Sequence, residues 1–447
     1  MDDGSEIVAK LPNPMAGPAY YTTASEVATR EFLRDVLNIP TPRIISWSAD
    51  RNNPVGAEYI LEEKAPGRPL GSLWCQWPMK FKLEIMEQIV EIEQRLASTK
   101  FVKSGCIYFR DDIAEEMSSD NAIITSMPWN LSLLKRFKLG PLVFSDPWRG
   151  DRTHMGMNRG PYNGSLEFIE AMATNEMRFI KTHARPRMNC HRSSTEPELP
   201  EEVLDLLDRY LQLTPAMVPP VGTDDIHSPT LWHPDLHLNN QSAAVMPLFY
   251  QCGIPRMIQH RGTVADDWTL IKLPEDYDSL GRSEKKIDHD RMSETCHKYH
   301  EAETKSRNPR HWAALQLENS NVRTQPSRLA VDVWEDRDVF FLRRALLSIV
   351  ELWQDLCPGS VICPVSFSEQ ELALHAAEEE SMADVGKILR LFRDNWGLLP
   401  NGMVDPTEFD QIHTAVAELR DSFIGAADDE AEREPFARLW PYQDADS

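Results

Sequence analysis

The spacing of hydrophobic positions changes several times along the chain, and each change marks an element. Glu6-Ile7-Val8-Ala9-Lys10-Leu11 is a short apolar run with one basic side chain, broken by Pro12-Asn13-Pro14 and Gly17-Pro18, and it predicts a strand. The spacing then becomes helical. Ala28, Phe32, Leu33, Val36 and Leu37 recur at helix intervals, Thr23-Ala24-Ser25-Glu26 has the spacing of a capping box, and Pro40 and Pro42 close the run. Arg43-Ile44-Ile45-Ser46-Trp47 and Ala57-Glu58-Tyr59-Ile60-Leu61-Glu62 predict two more strands around the turn-rich Asp50-Arg51-Asn52-Asn53-Pro54.

Beyond Pro66-Gly67 the pattern is mostly helical, with Ile85, Ile89, Ile92 and Leu96 on one stripe and charged residues on the other faces. Phe144 to Tyr162 is rich in Gly, Pro, Asp and Arg and predicts a long surface loop, followed by a helix from Ser165 through Phe179. Pro200-Glu201-Glu202 has the features of a helix start, proline first and acids in the first turn, with Val203, Leu207 and Leu211 continuing it. From Tyr299 onward helices are expected, ending in an acidic, weakly apolar tail over 426–447.

A length of 447 residues exceeds what one hydrophobic core serves, so two lobes or domains are expected. The formal net charge of −23 argues against capture of nucleic acid or anionic membrane, which requires a basic face. Seven scattered cysteines without CxxC spacing fit free thiols in a reducing compartment and speak against a zinc site. No apolar stretch reaches the length of a membrane span, and the acidic start Met1-Asp2-Asp3-Gly4-Ser5-Glu6 does not have the pattern of a presequence.

The segment Thr230-Leu231-Trp232-His233-Pro234-Asp235-Leu236-His237-Leu238-Asn239-Asn240 carries the chemistry. Its His, with Asp two residues on and Asn seven on, has the catalytic-loop spacing of kinase-like enzymes. A carboxylate there orients the acceptor hydroxyl, and an amide a few residues later holds Mg²⁺ against the phosphates of ATP. Asp235 and Asn240 fit those roles, with His233 bracing the loop; the alternative is a chance coincidence in a polar loop. Lys10, on a strand just before the helix bearing Glu26, has the order of a kinase-type Lys-Glu pair. Two bland readings stand beside it: Glu26 as a capping acid, and Lys10 as a solvated edge lysine. His297, His300 and Glu301 match no zincin order and are expected on a solvated helix face.

Val8-Ala9-Lys10, the stretch from Thr22 to Thr29, Gly56 through Gly67, and Leu231 through His237 together resemble fungal proteins of the aminoglycoside-phosphotransferase (phosphotransferase enzyme) family. The likeness extends to Asn158-Arg159-Gly160-Pro161-Tyr162, Pro247-Leu248-Phe249 and Leu273-Pro274-Glu275 and so covers nearly the whole chain. It implies an α+β, protein-kinase-like bilobal fold. Residues 1–65 would be the remnant of a small lobe, 66–425 a helical lobe with its catalytic loop at 231–240, and 426–447 a tail. The resemblance further implies ATP and Mg²⁺ as cofactors, Lys10 on the ATP phosphates, Glu26 positioning Lys10, and a hinge over Glu62-Glu63-Lys64-Ala65 meeting adenine. Asp235 would be the base and Asn240 a metal ligand. The acceptor would be an unidentified small molecule or protein, and the location mitochondrial, otherwise cytoplasmic.

Two departures qualify the implied activity. Relatives of this kind carry two strands and a phosphate-covering loop before the lysine strand, whereas Lys10 stands almost at the start. They also continue from the Asn through two strands to an apolar-Asp-Trp-Gln element whose Asp binds metal, whereas here Asn240 joins directly to Gln241-Ser242-Ala243-Ala244-Val245-Met246-Pro247. Asp267-Trp268 offers the dipeptide without the apolar strand before it. A catalytically inactive pseudokinase acting as a binding module is therefore the alternative to an active phosphotransferase.

Overall fold

The computed structural model of the protein describes residues 6–13, 17–74, 77–119, 123–125, 131–189, 192–193, 196–222, 225–232, 243–260, 282–335, 339–359, 362–396, 398, 404, 409–425, 433, 437 and 440. The first apolar run forms β1 (Ile7–Lys10), and the next two form β2 (Ile44–Ser48) and β3 (Tyr59–Glu63). They make one antiparallel sheet in the order β1-β3-β2, with Lys10 opposite Ile60 and Ile7 opposite Glu63. The lysine strand is thus an edge, with Ile7 and Val8 exposed along it. Between β2 and β3 the Asn53 side chain accepts hydrogen bonds from the amides of Val55 and Gly56, and Gly56 takes a φ of 74°, which only glycine adopts without strain.

Helix α1 (Tyr21–Glu31) begins two residues before Thr23 and continues as one wider turn through Phe32–Val36. The expected capping box is therefore not made, which corrects that reading of Glu26. The turn at Pro18 starts the helix early, with the Thr22 amide on the Pro18 carbonyl, and this places Thr23 and Glu26 inside the helix. The Thr23 hydroxyl donates to the Glu58 carboxylate at 2.7 Å instead of capping. Every residue from Thr22 to Arg30 is buried, so the polar ones among them need partners within the protein. Asn38, at φ 52°, ends the run in the left-handed conformation ahead of Pro40.

Helix α2 (Met79–Ala97) follows, with Met86, Ile89, Val90 and Leu96 on its buried stripe. Three antiparallel strand pairs come next: β4 (Thr99–Phe101) with β6 (Ile123–Thr125), β5 (Cys106–Phe109) with β7 (Phe137–Gly140), and β8 (Pro229–Trp232) with β9 (Ala244–Pro247). The remaining long elements are helices: α3 (Ser165–His183), α4 (Pro200–Met217), α5 (Arg282–Arg307), α6 (Pro309–Leu315), α7 (Ser320–Ala330), α8 (Val339–Glu351), α9 (Glu369–Trp396) and α10 (Phe409–Gly425). The architecture is α+β, with small antiparallel sheets and predominant helix. Among the described residues no helix is long and apolar enough to cross a membrane.

The chain divides into two compact units, residues 1–175 with 214–331, and residues 176–213 with 332–447. In the first unit α1 packs on β5, and just past its end the Phe32 ring meets Phe137 of β7 edge-on at 5.3 Å and Phe101 of β4 at 6.0 Å. Met86 and Ile89 of α2 pack with Ile258 and Cys296 in a second cluster. Gly105 exchanges two backbone hydrogen bonds with Val245 at 2.8 Å, and a β-carbon there would lie 2.4 Å from the Gly140 carbonyl oxygen. In the second unit Phe392, Leu398, Ile412 and Trp440 form a core, and Arg343 of α8 pairs with Glu378 of α9.

Candidate functional site

The first expected pair is formed. Lys10 Nζ lies 2.6 Å from Glu26 Oε1, joining the edge strand to α1. The Glu26 side chain is only 3% exposed and that of Lys10 is 27% exposed, so the carboxylate is interior and the lysine side chain reaches the surface. This geometry decides between the open readings: Glu26 is a buried ion-pair partner, and Lys10 is not a free edge lysine. Arg30 joins them from one turn further along α1, 3.7 Å from Glu26 Oε1, and also pairs with Glu62 on β3. The Glu26-x-x-x-Arg30 spacing was the sequence signal for this contact, because residues four apart on a helix are neighbours.

The residues expected to form a hinge follow one another at the end of β3 with different commitments. The Glu63 amide donates to the Arg43 carbonyl at 2.9 Å, and the Lys64 amide to the Glu6 carbonyl at 3.3 Å. Lys64 Nζ sits 2.9 Å from the Glu6 carboxylate. Ala65 is exposed and its amide makes no hydrogen bond among the described residues.

His233, Asp235 and Asn240 lie outside the described residues, as do Asp267 and Trp268. The frame around the first three is described. β8 and β9 are buried throughout and pair with Trp232 opposite Ala244, which holds the two ends of the 233–242 segment side by side. Two side chains fasten this frame. Gln251 donates to the carbonyls of Thr230 at 2.7 Å and Ala244 at 3.2 Å, bridging both strands. Arg310 of α6 donates to the carbonyls of Asp225 at 2.5 Å, Ala97 at 2.8 Å and Ser228 at 2.8 Å, and to the Thr230 hydroxyl at 2.7 Å. Burial opposes the charge of Asp225, yet Lys100, the Ser228 hydroxyl and Arg310 hold its pKa down at about 2. Neither Gln251 nor Arg310 left a sequence signal, because their partners are mostly backbone carbonyls.

Behind β8 lies a buried polar group that also departs from expectation. His300 is not on a solvated face: its Nε2 is 2.8 Å from Glu93 Oε2, with His311 Nδ1 at 3.6 Å from the same oxygen. The reason is that α2 carries Glu93 on its buried stripe, and α5 and α6 pack over it. The Trp232 ring rests on His311 at 4.5 Å, so this group backs the strand that enters the 233–242 segment. Burial raises the Glu93 pKa against the opposing pull of His300, and burial, with His300 beside it, lowers that of His311 to about 3. Among the described residues no group of three or more His, Cys, Asp or Glu side chains is arranged to hold a metal ion.

His311 makes stability pH-dependent with a defined sign. The folded chain refuses its proton until about pH 3, whereas the unfolded chain takes it near 6.5, so its contribution is complete above 6.5 and is lost as pH falls toward 3. Between pH 7 and pH 5 this group alone is expected to remove about 2 kcal/mol of unfolding free energy. Urea unfolding of the wild type and His311→Asn at both pH values checks it; equal pH losses in the two proteins contradict the assignment.

No protein-family model and no solved structure matches the chain. Curated proteins do. The chain is 29% identical over 492 residues to a subtelomeric hrmA-associated cluster protein of Aspergillus fumigatus, an alignment taking in 99% of this chain and 93% of the relative. That alignment is longer than the chain itself, so the relative carries residues with no counterpart here. The chain is also similar to proteins named altered inheritance of mitochondria protein 9, mitochondrial. The one from Eremothecium gossypii is 25% identical over 86% of this chain and 68% of its own length, and the one from Saccharomyces cerevisiae 23% identical over 89% and 70%.

Proposed function

We propose that this chain is an ATP-dependent phosphotransferase of the aminoglycoside-phosphotransferase type, with a protein-kinase-like bilobal fold, acting on a hydroxyl of a small-molecule or protein acceptor. The observation that supports this most is the Lys10–Glu26 pair: a buried carboxylate on a helix, holding at 2.6 Å a lysine that reaches the surface from a sheet edge. A structural ion pair has no need of that asymmetry, whereas a phosphate-binding lysine requires both a fixed partner and access to a ligand. The uncommitted Ala65 amide at the end of β3 supports a second contact, to adenine, and the paired β8 and β9 support a fixed base for Asp235 and Asn240.

Bound ATP with Mg²⁺ supplies the phosphoryl group and neutralises its developing charge. On this reading Lys10 holds phosphate oxygens, Glu26 positions Lys10, and the 63–65 strand end contacts the base. Asp235 orients the acceptor hydroxyl and takes its proton, Asn240 is the metal ligand, and His233 braces the loop. The relatives named as mitochondrial support a mitochondrial location.

The second reading, a pseudokinase that binds nucleotide without turnover, is favoured by one observation: no apolar-Asp-Trp-Gln element stands between Asn240 and the β9 strand. Thermal unfolding with Mg²⁺ and ATP tests both. At a hundredfold excess of ATP over its dissociation constant, binding stabilises the fold by about 2.7 kcal/mol, which raises Tm by several degrees. That shift is expected for the wild type and is expected to vanish in Lys10→Met. Stabilisation without turnover selects the pseudokinase; the absence of both refutes nucleotide handling altogether.

A further inference from the structure

Four charges of alternating sign run through the candidate nucleotide site: Lys10 on β1, Glu26 and Arg30 on α1, and Glu62 on β3. The two cations differ in their freedom. The Arg30 side chain is 7% exposed, enclosed between Glu26 and Glu62, while Lys10 is the member that reaches solvent. A buried carboxylate whose one cation turns away is left with an uncompensated charge, which is strongly unfavourable. A lysine holding Glu26 alone would therefore be kept from any phosphate it approached. Arg30 removes that obstacle, because its enclosed guanidinium lies 3.7 Å from the same carboxylate oxygen and stays in place when Lys10 turns away.

We propose that Arg30 is a positioning residue, holding Glu26 compensated and fixed so that Lys10 is released to an anionic ligand. This rests on the nucleotide reading above and adds to it a residue with a separate role. Arg30 touches neither ligand nor reacting atoms; it acts through Glu26 on Lys10. Its removal strengthens the hold of Glu26 on Lys10, so Lys10 becomes both a poorer phosphate ligand and a less reactive amine.

The test measures Mg²⁺–ATP affinity by calorimetry and the rate of Lys10 labelling by acetic anhydride, read by peptide mass spectrometry. Wild type, Arg30→Met, Arg30→Gln, Lys10→Met and the Arg30→Met/Lys10→Met double variant are compared after circular dichroism confirms folding. Arg30→Met is expected to weaken ATP binding by roughly tenfold to a hundredfold, with no further loss in the Lys10→Met background. A purely structural role would instead give additive losses. Arg30→Gln, which retains hydrogen bonding but no charge, is expected to act in the same direction and serves if the methionine variant does not fold. If the wild type binds ATP and both Arg30 variants bind it equally well, the proposal is overturned while the nucleotide reading stands. If the wild type binds no ATP, that reading fails and labelling decides: slower labelling of Lys10 in the Arg30 variants upholds its role at Glu26, and unchanged labelling refutes it.

Discussion

Magnesium-dependent ATP turnover is expected to rise by a factor on the order of 10² to 10³ when a strand pair ending in an apolar-Asp-Trp element is spliced between Asn240 and Gln241. Phosphoryl transfer depends on positioning and on charge placed against the transferring group, and on the proposed reading the chain has the Asn240 amide for the metal without the carboxylate that would follow it. The frame suits such an insertion: Trp232 is paired with Ala244, and Gln251 fastens both strands, so added residues enter between fixed ends and leave the register intact. A coupled assay of ADP release compares the repaired and original chains, and Asp235→Asn in the repaired chain is expected to abolish the gain. Equal rates in repaired and original chains count against the metal-carboxylate explanation, and a gain that survives Asp235→Asn counts against Asp235 as the base.

Replacing Phe32 by alanine is expected to lower the unfolding free energy by about 4 kcal/mol. Its side chain is fully buried, and its ring contacts Phe137 edge-on at 5.3 Å and Phe101 at 6.0 Å, so truncation opens a cavity and removes an aromatic pair together. These contacts fasten the end of α1 to β4 and β7, and α1 carries both Glu26 and Arg30, so the loss reaches the site as well as the core. Urea unfolding gives the value, with Val221→Ala, at a position 91% exposed, as a control expected within about 0.5 kcal/mol of wild type. A loss below about 1 kcal/mol at Phe32 means that α1 is not seated on these rings.

Legibility in the sequence followed the kind of interaction. The strands at Ile7–Lys10, Ile44–Ser48 and Tyr59–Glu63 were readable because their apolar runs are short and bounded by turn residues. The start of α1 was misplaced because Thr23 and Glu26 have the spacing of a cap, yet a helix buried on all sides directs both inward, to Glu58 and Lys10. The Lys10–Glu26 contact is legible as an order of elements, while the place of Arg30 between Glu26 and Glu62 depends on the packing of α1 against β3. His300 was read as solvated because a polar helix with histidines resembles a surface face; only the packing of α5 and α6 over Glu93 reveals otherwise. Arg310 and Gln251 bind main-chain oxygens, which any sequence supplies, so no pattern of residue types announces them.

The meeting of Gly105 with Val245 bears on how the molecule is made. Sheet contacts of this kind join segments far apart along the chain, and their closure waits until the later one exists. During synthesis Gly105 leaves the ribosome long before Val245, so the β5 edge, Cys106 and Tyr108 included, spends that interval without its β9 neighbour. Slower translation between the two segments lengthens that interval, and with it the time in which the unpaired edge is open to wrong contacts.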